Sequence, residues 1–192
     1  ASFLLNAKPA VPTTKVLGPI RHQYTLLSLV DIYPSDEYLE LWPSEQDFQK
    51  AEELLSGEWI GAGTRLIGVC LSASSRWATK RWPLERYSEF IQKASKQFNA
   101  RILVVGAKED SPSVDRLIKG SKTKIISACG KTTLLELAAL LKKCACFISP
   151  DSAPLHIASA MKVPFVGLFG PTDPRRHVCA STAHKILFKR FR

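Results

Sequence analysis

The sequence predicts an α/β fold, a parallel sheet with helices on both faces. Three observations predict it. Short apolar runs alternate with longer stretches whose apolar residues recur on one helical face. Glycines and prolines punctuate the joints. Helix starts carry hydroxyl caps, as at Ser44 and at Thr133 with Glu136 three residues on. Parallel strands need crossovers, and the crossover is usually a helix, so this alternation builds a parallel sheet covered on both sides.

Taken in order, a helix is expected from about Ile20 to Ile32, then a short strand at Tyr38–Leu41. Ser44 caps a helix running to about Leu55. Gly57–Thr64, with Gly57, Gly61, Ala62 and Gly63, reads as a linker or loop. The buried run Leu66–Leu71 is a strand, and Pro83 opens a helix whose Leu84, Tyr87, Phe90, Ile91, Ala94 and Phe98 share a face. Ile102–Val105 is a strand ended by Gly106, followed by a helix over Pro112–Lys119 and a strand at Lys124–Ser127. The helix capped by Thr133 runs to about Lys143. Ala145–Ile148 is a strand, Pro154–Met161 a short helix, Val163–Phe169 a strand and Lys185–Phe188 a last strand.

The 192 residues, 45% of them apolar, suffice for one core or one domain with an appendage. No apolar run approaches the roughly 20 residues that cross a bilayer. Ala1–Asn6 lacks the basic-then-apolar pattern of a signal peptide, and without an initiator Met residue 1 need not be the natural start. Net charge is +10. From Ser72 to Arg101 seven Lys or Arg face two Glu, and from Pro174 to Arg192 six Lys or Arg face no acid. Such a field draws phosphates, nucleic acid or an anionic membrane, and serves equally as a solvated surface. The cysteines at 70, 129, 144, 146 and 179 form no C-x-x-C pair. No metal site is expected, and thiols in or beside strands fit a reducing, cytoplasmic compartment.

Open parallel sheets bind ligands beyond the carboxyl ends of their strands, so the strand-to-helix turns carry the chemistry. Ser149–His156 is one such turn. Pro154 stands in the first turn of the following helix, and Ser152 and Ala153 offer backbone N–H groups and little bulk to a phosphate. His156 can donate to a phosphate or ribose. Asp151, repelled by a diphosphate, suits sugar hydroxyls. By itself this turn also fits a plain helix cap with a packed histidine. Before Lys80-Arg81-Trp82-Pro83, the hydroxyls of Ser72, Ser74 and Ser75 give space and donors, and Lys80 gives a mobile cation. Trp82 and Pro83 read as a hydrophobic staple. Glu109 is placed either to accept both ribose hydroxyls or to cap a helix. Gly170-Pro171-Thr172-Asp173-Pro174 is a rigid turn whose N–H groups and Thr172 can close the sugar side. The patterns G-x-x-x-x-G-K-[ST] and G-x-G-x-x-G are absent, which counts against a P-loop NTPase and a dinucleotide oxidoreductase.

Four blocks in order carry a resemblance: Lys80-Arg81-Trp82-Pro83; Gly130-Lys131-Thr132-Thr133-Leu134-x-Glu136-Leu137; Asp151-Ser152-Ala153-Pro154-Leu155-His156-x-Ala158-x-Ala160; and Leu168-Phe169-Gly170-Pro171-Thr172-Asp173-Pro174. They resemble the ADP-heptose:lipopolysaccharide heptosyltransferases, glycosyltransferase family 9. The match is closest over Leu66–Pro174. Before it, Phe3–Asn6 and the helix with His22 are similar to the end of that family's first domain.

The resemblance implies a GT-B fold of two Rossmann-like domains with the active site between them. Residues 61–192 would be the C-terminal, donor-binding domain. Residues 1–60 would be what remains of the acceptor-side domain and linker. Lys80 would contact the diphosphate, Glu109 the ribose, and Ser127–Gly130, with Cys129, would border adenine. Asp151 would meet the sugar, and Ser152, Ala153 and His156 the phosphate region. Lys80 and Asp151 are the residues assigned to the chemistry. The reaction would move heptose from ADP-heptose to a lipid-linked lipopolysaccharide core, with inversion and without a tightly bound metal or other cofactor. The partners would be that donor and an acceptor at the inner face of the inner membrane, with no nucleic acid; a cytoplasmic, peripheral protein is expected. Alternatives are a different nucleotide-sugar donor, or a basic nucleotide- or nucleic-acid-binding module without catalysis. Family members usually carry Gly where Ala153 stands. Their N-terminal sheet, with the glycine-rich acceptor loop and the Asp expected as base, has no counterpart here, and their tail after Pro174 is longer. The 192-residue chain is therefore expected to bind ADP or an ADP-sugar weakly and to transfer little.

Overall fold

A computed structural model of the chain describes residues 18–58, 60, 63–71, 77–178 and 183–189. Six strands form one sheet: β1 (Arg65–Cys70), β2 (Ala100–Val105), β3 (Ile125–Ser127), β4 (Cys146–Pro150), β5 (Phe165–Phe169) and β6 (His184–Phe188). Their order is β3-β2-β1-β4-β5-β6 and every pairing is parallel. The helices are α1 (Pro19–Leu27), α2 (Glu45–Leu55), α3 (Leu84–Phe98), α4 (Ser111–Gly120), α5 (Leu134–Lys142) and α6 (Ala153–Ala160).

Period-two alternation divides the sheet's side chains between two cores. Leu66 and Cys70 of β1 join Leu103 and Val105 of β2 on the side covered by α5 and α6. Ile67, Val69, Ile102 and Val104 turn the other way and meet Tyr87, Ile91 and Ala94 of α3 and Val114 and Leu117 of α4. Strands buried on both faces need apolar residues at every position, which is why Leu66–Leu71 reads as an unbroken apolar run. Gly68 is there for room. A Cβ on it would stand 2.8 Å from Phe147 Cδ2 and 3.1 Å from Cys144 Sγ.

The chain enters α3 through the expected staple. Pro83 is the N-cap, Trp82 precedes it, and the Trp82 and Tyr87 rings meet edge to face at 4.9 Å. Tyr87 is wholly buried and its OH donates to Cys70 O at 2.9 Å, tying α3 to the carboxyl end of β1. Burial pushes the Tyr87 phenol well above its usual range. Thr133 and Glu136 form the expected capping box, with Thr133 N donating to Glu136 Oε2 at 2.7 Å and Glu136 N to Thr133 Oγ1 at 3.3 Å. Ser44 caps α2 with Asp47 as its reciprocal partner. That helix packs on α5, with Ala51 1% exposed in the core and Lys143 paired to Glu52 at 2.6 Å.

Three local expectations are corrected. Tyr38–Leu41 forms no strand, only a single bridge at Tyr38. The α-helix expected to reach Ile32 ends at Leu27, because a 3₁₀ turn follows over Ser28–Val30 and Asp31 adopts φ 56°. The strand expected from Val163 begins at Phe165. Lys162, at φ 56°, ends the preceding helix, and Pro164 offers its carbonyl to Phe147 N without a ladder N–H of its own. Gly61, Ala62, Phe3–Asn6, Cys179 and the last three residues of the tail lie outside the described residues. No helix of the described residues is long and apolar enough to cross a membrane.

Candidate functional site

The strand order reverses between β1 and β4, so the loops leaving these neighbours diverge and open a crevice. A cavity of about 680 Å³ lies there. Lys80 and Trp77 reach it from the turn after β1, Gly106 and Glu109 from the turn after β2, and Thr132–Leu134 from the start of α5. Asp151, Ser152, Ala153 and Pro154 form its wall at the start of α6.

Its electrostatic centre is Asp151, whose side chain is 6% exposed. Lys80 Nζ donates to Asp151 Oδ2 at 2.6 Å, and Thr172 Oγ1 donates to the same oxygen at 2.8 Å. His177 Nδ1 stands 3.9 Å away. Burial alone raises the Asp151 carboxyl. The hydrogen bonds from Lys80 and Thr172, with the charges of His177 and Lys80, outweigh it and hold the group below its ordinary 3.8. His156, on the next turn of α6, is pushed below 6.5, first by burial and then by the charges of His177 and Lys80, against the pull of Asp151.

Ser152 is the N-cap of α6 by position, yet its side chain makes no capping bond. Its Oγ lies 2.9 Å from Ser149 Oγ and 3.8 Å from Cys70 Sγ. Within the first turn of α6, Pro154 has no N–H and Leu155 N donates to Ser152 O at 3.0 Å, so the Ala153 N–H remains at the helix start, where a helix attracts anions. A lysine beside a helix start can neutralise a phosphate. Glu109, one strand away, can accept a pair of hydroxyls.

The structure thus brings Lys80, Glu109, Asp151, Ser152 and Ala153 to one cavity, with Thr172 joined through Asp151. Cys129, Gly130 and His156 are not among its lining. Cys129 is buried, its thiol directed at Val104 O and pushed up to about 12 by that burial. Gly130 has φ 65° and packs over Lys108, where a Cβ would stand 2.8 Å from that residue's own Cβ. Ser74 and Ser75 lie outside the described residues. Trp77 and His177 belong to the site or its margin without having been singled out, and Thr132 and Leu134, marked in the sequence only within a motif block, line the cavity. For Trp77 a signal existed, since it stands one 3₁₀ turn before Lys80. No disulfide joins Cys70, Cys129, Cys144 or Cys146, and the described residues hold no cluster of three or more His, Cys, Asp or Glu fit to bind a metal ion.

Comparison with known proteins gives the family and the fold. The model of glycosyltransferase family 9 (heptosyltransferase) matches residues 5–190. Lipopolysaccharide heptosyltransferase 3 of Escherichia coli (strain K12) is 36% identical over 107 residues, 55% of this chain and 31% of that protein. Lipooligosaccharide heptosyltransferase 2 of Haemophilus influenzae is 30% identical over 154 residues, 76% of this chain and 42% of that protein. The chain therefore spans well under half the length of these curated relatives. Among solved structures, a glycosyl transferase family 9 from Veillonella parvula DSM 2008 superposes with TM-score 0.84 at 24% identity, covering 94% of this chain and 51% of that one. E. coli heptosyltransferase WaaC with ADP superposes at 0.68 and 21%, covering 97% and 54%. These structures share the fold.

Proposed function

Because the chain belongs to glycosyltransferase family 9, we propose that it carries the donor-binding domain of an inverting GT-B glycosyltransferase that moves heptose from ADP-heptose to a lipopolysaccharide inner core. One observation carries the reading: a Lys80–Asp151 pair at the start of α6 shares a cavity with Glu109. In that cavity the diphosphate takes Lys80 and the Ala153 N–H at the start of α6, Glu109 takes the ribose hydroxyls, and Asp151 and Thr172 face the transferred sugar. Residues 61–192 form the donor side, and residues 1–60 lead to the acceptor side, with α2 docked on α5.

Inverting transfer needs a base on the acceptor hydroxyl and stabilisation of the departing diphosphate. The second is supplied by Lys80 and the α6 N-terminus, so the charge that develops on the leaving group is met without a tightly bound metal. The acceptor is lipid-linked saccharide at the inner face of the inner membrane, where the basic residues Arg175, Arg176, Lys185 and Lys189 favour an anionic surface. The family match favours this over a nucleic-acid-binding module.

Calorimetric titration of the chain with ADP, ADP-heptose, and UDP- and GDP-sugars tests the reading. ADP compounds should bind best, and Lys80→Ala should abolish their binding. Preference for UDP-sugars would sink the heptose assignment. Full heptosyl transfer by the 192-residue chain alone would overturn the placing of the base elsewhere.

A further inference from the structure

Among the described residues, Trp77 is the only aromatic side chain lining the donor cavity. Unlike Trp82, which packs on Tyr87, it is 57% exposed. Its backbone is fixed, because Lys80 N donates to Trp77 O at 3.0 Å. Lys80 Nζ lies 5.6 Å from the centre of its ring and 2.6 Å from Asp151 Oδ2. An aromatic face and a carboxylate thus stand on the same ammonium.

We infer that Trp77 is a specificity-determining platform on which the apolar face of the donor's sugar stacks, while Asp151 receives hydroxyls of the same ring. The inference rests on the donor reading above. Three observations support it. An indole face carries negative potential and attracts both cations and the polarised C–H groups of a sugar ring. The sheet order separates the two ends of the cavity: Glu109 follows β2 and Thr132 follows β3, whereas Trp77 and Asp151 follow the central strands β1 and β4. Trp77 therefore lies with the Lys80–Asp151 pair, at the end of the cavity away from Glu109 and Thr132. Finally, Lys80 Nζ lies 5.6 Å from the indole centre, so a diphosphate bound to Lys80 brings its attached sugar beside that ring.

The test is titration of the 192-residue chain and its Trp77→Phe and Trp77→Ala variants with ADP and with ADP-heptose. Trp77→Ala should weaken ADP-heptose about five- to tenfold, the size of one aromatic contact, and leave ADP nearly unchanged. Trp77→Phe should recover most of the loss. Equal weakening of both ligands would overturn the inference, since the indole would then act through Lys80 or the nucleotide. No weakening of either would overturn it too. Failure of the unsubstituted chain to bind any ADP compound would instead bring down the donor reading, and this inference with it. Melting curves that coincide for the three proteins verify that the exposed substitution leaves the fold intact.

Discussion

Lys80 Nζ lies 2.6 Å from Asp151 Oδ2, joining two turns 71 residues apart in the chain. The pair is largely shielded, with side chains 15% and 6% exposed. Shielded pairs contribute modest net stability when complete, but breaking one leaves a charge buried without its counter-ion.

Lys80→Ala is therefore expected to lower unfolding free energy by about 2–4 kcal/mol, measured in urea. Adding Asp151→Asn should restore part of the loss. Strictly additive losses in the double variant would show that the two side chains are not coupled.

The acid limb of stability should have two steps. His156 has a folded-state pKa below its ordinary 6.5. The unfolded chain then binds more protons between the two values, so the contribution is complete above pH 6.5 and is lost as pH falls through the folded value. Asp151 has its folded value below 3.8, so its contribution holds above 3.8 and disappears as pH falls further. Unfolding midpoints followed downward from neutral pH should decline in these two windows, and His156→Gln should erase the upper one. Parallel curves for the two proteins would refute the assignment to His156.

At Gly106 a Cβ would stand 2.6 Å from Asp110 Oδ2 and 3.3 Å from Cys129 Sγ. That carboxylate accepts Ala107 N at 2.9 Å and shapes the loop that carries Glu109. Gly106→Ala should cost about 1–3 kcal/mol in thermal unfolding and weaken ADP binding. Gly120→Ala, where a Cβ meets nothing within 4 Å, is the control and should leave both unchanged.

Ala153 is exposed on the cavity wall, in the first turn of α6. On the proposed donor reading, its methyl lies beside the one first-turn N–H left for a phosphate. Ala153→Gly should tighten ADP binding at a cost in helix stability of about 1 kcal/mol or less, and Ala153→Val should weaken it. An Ala153→Val chain that binds ADP like the parent would remove the methyl from the phosphate path.

Much of the sheet was legible because burial on both faces leaves a signal at every position, as in Leu66–Leu71, and because Thr133, Glu136 and the Trp82–Tyr87 staple obey short-range rules. Tyr38–Leu41 misled because its apolar alternation resembles a strand, yet among the described residues the backbone forms only the single bridge at Tyr38. At the site, Lys80, Glu109, Asp151, Ser152 and Ala153 were legible from their places after strands. The bond between Lys80 and Asp151 was not, since charge repulsion from a ligand was weighed and attraction between two distant turns was invisible. His177 owes its place at the site to Asp151 from another turn, which no local pattern records, whereas Trp77 was signalled only by its spacing from Lys80.

The seam between β1 and β4 has a further consequence for how the molecule assembles. Each half of the sheet, β1–β3 and β4–β6, closes over short connections, whereas zipping β1 to β4 requires a long intervening loop to close. The pocket straddles this seam, so loop-closure entropy predicts that it is completed after the two halves of the sheet. A nucleotide seated across it would work as a clasp: part of its binding energy would appear as resistance of the seam to opening, read as slowed amide hydrogen exchange in β1 and β4.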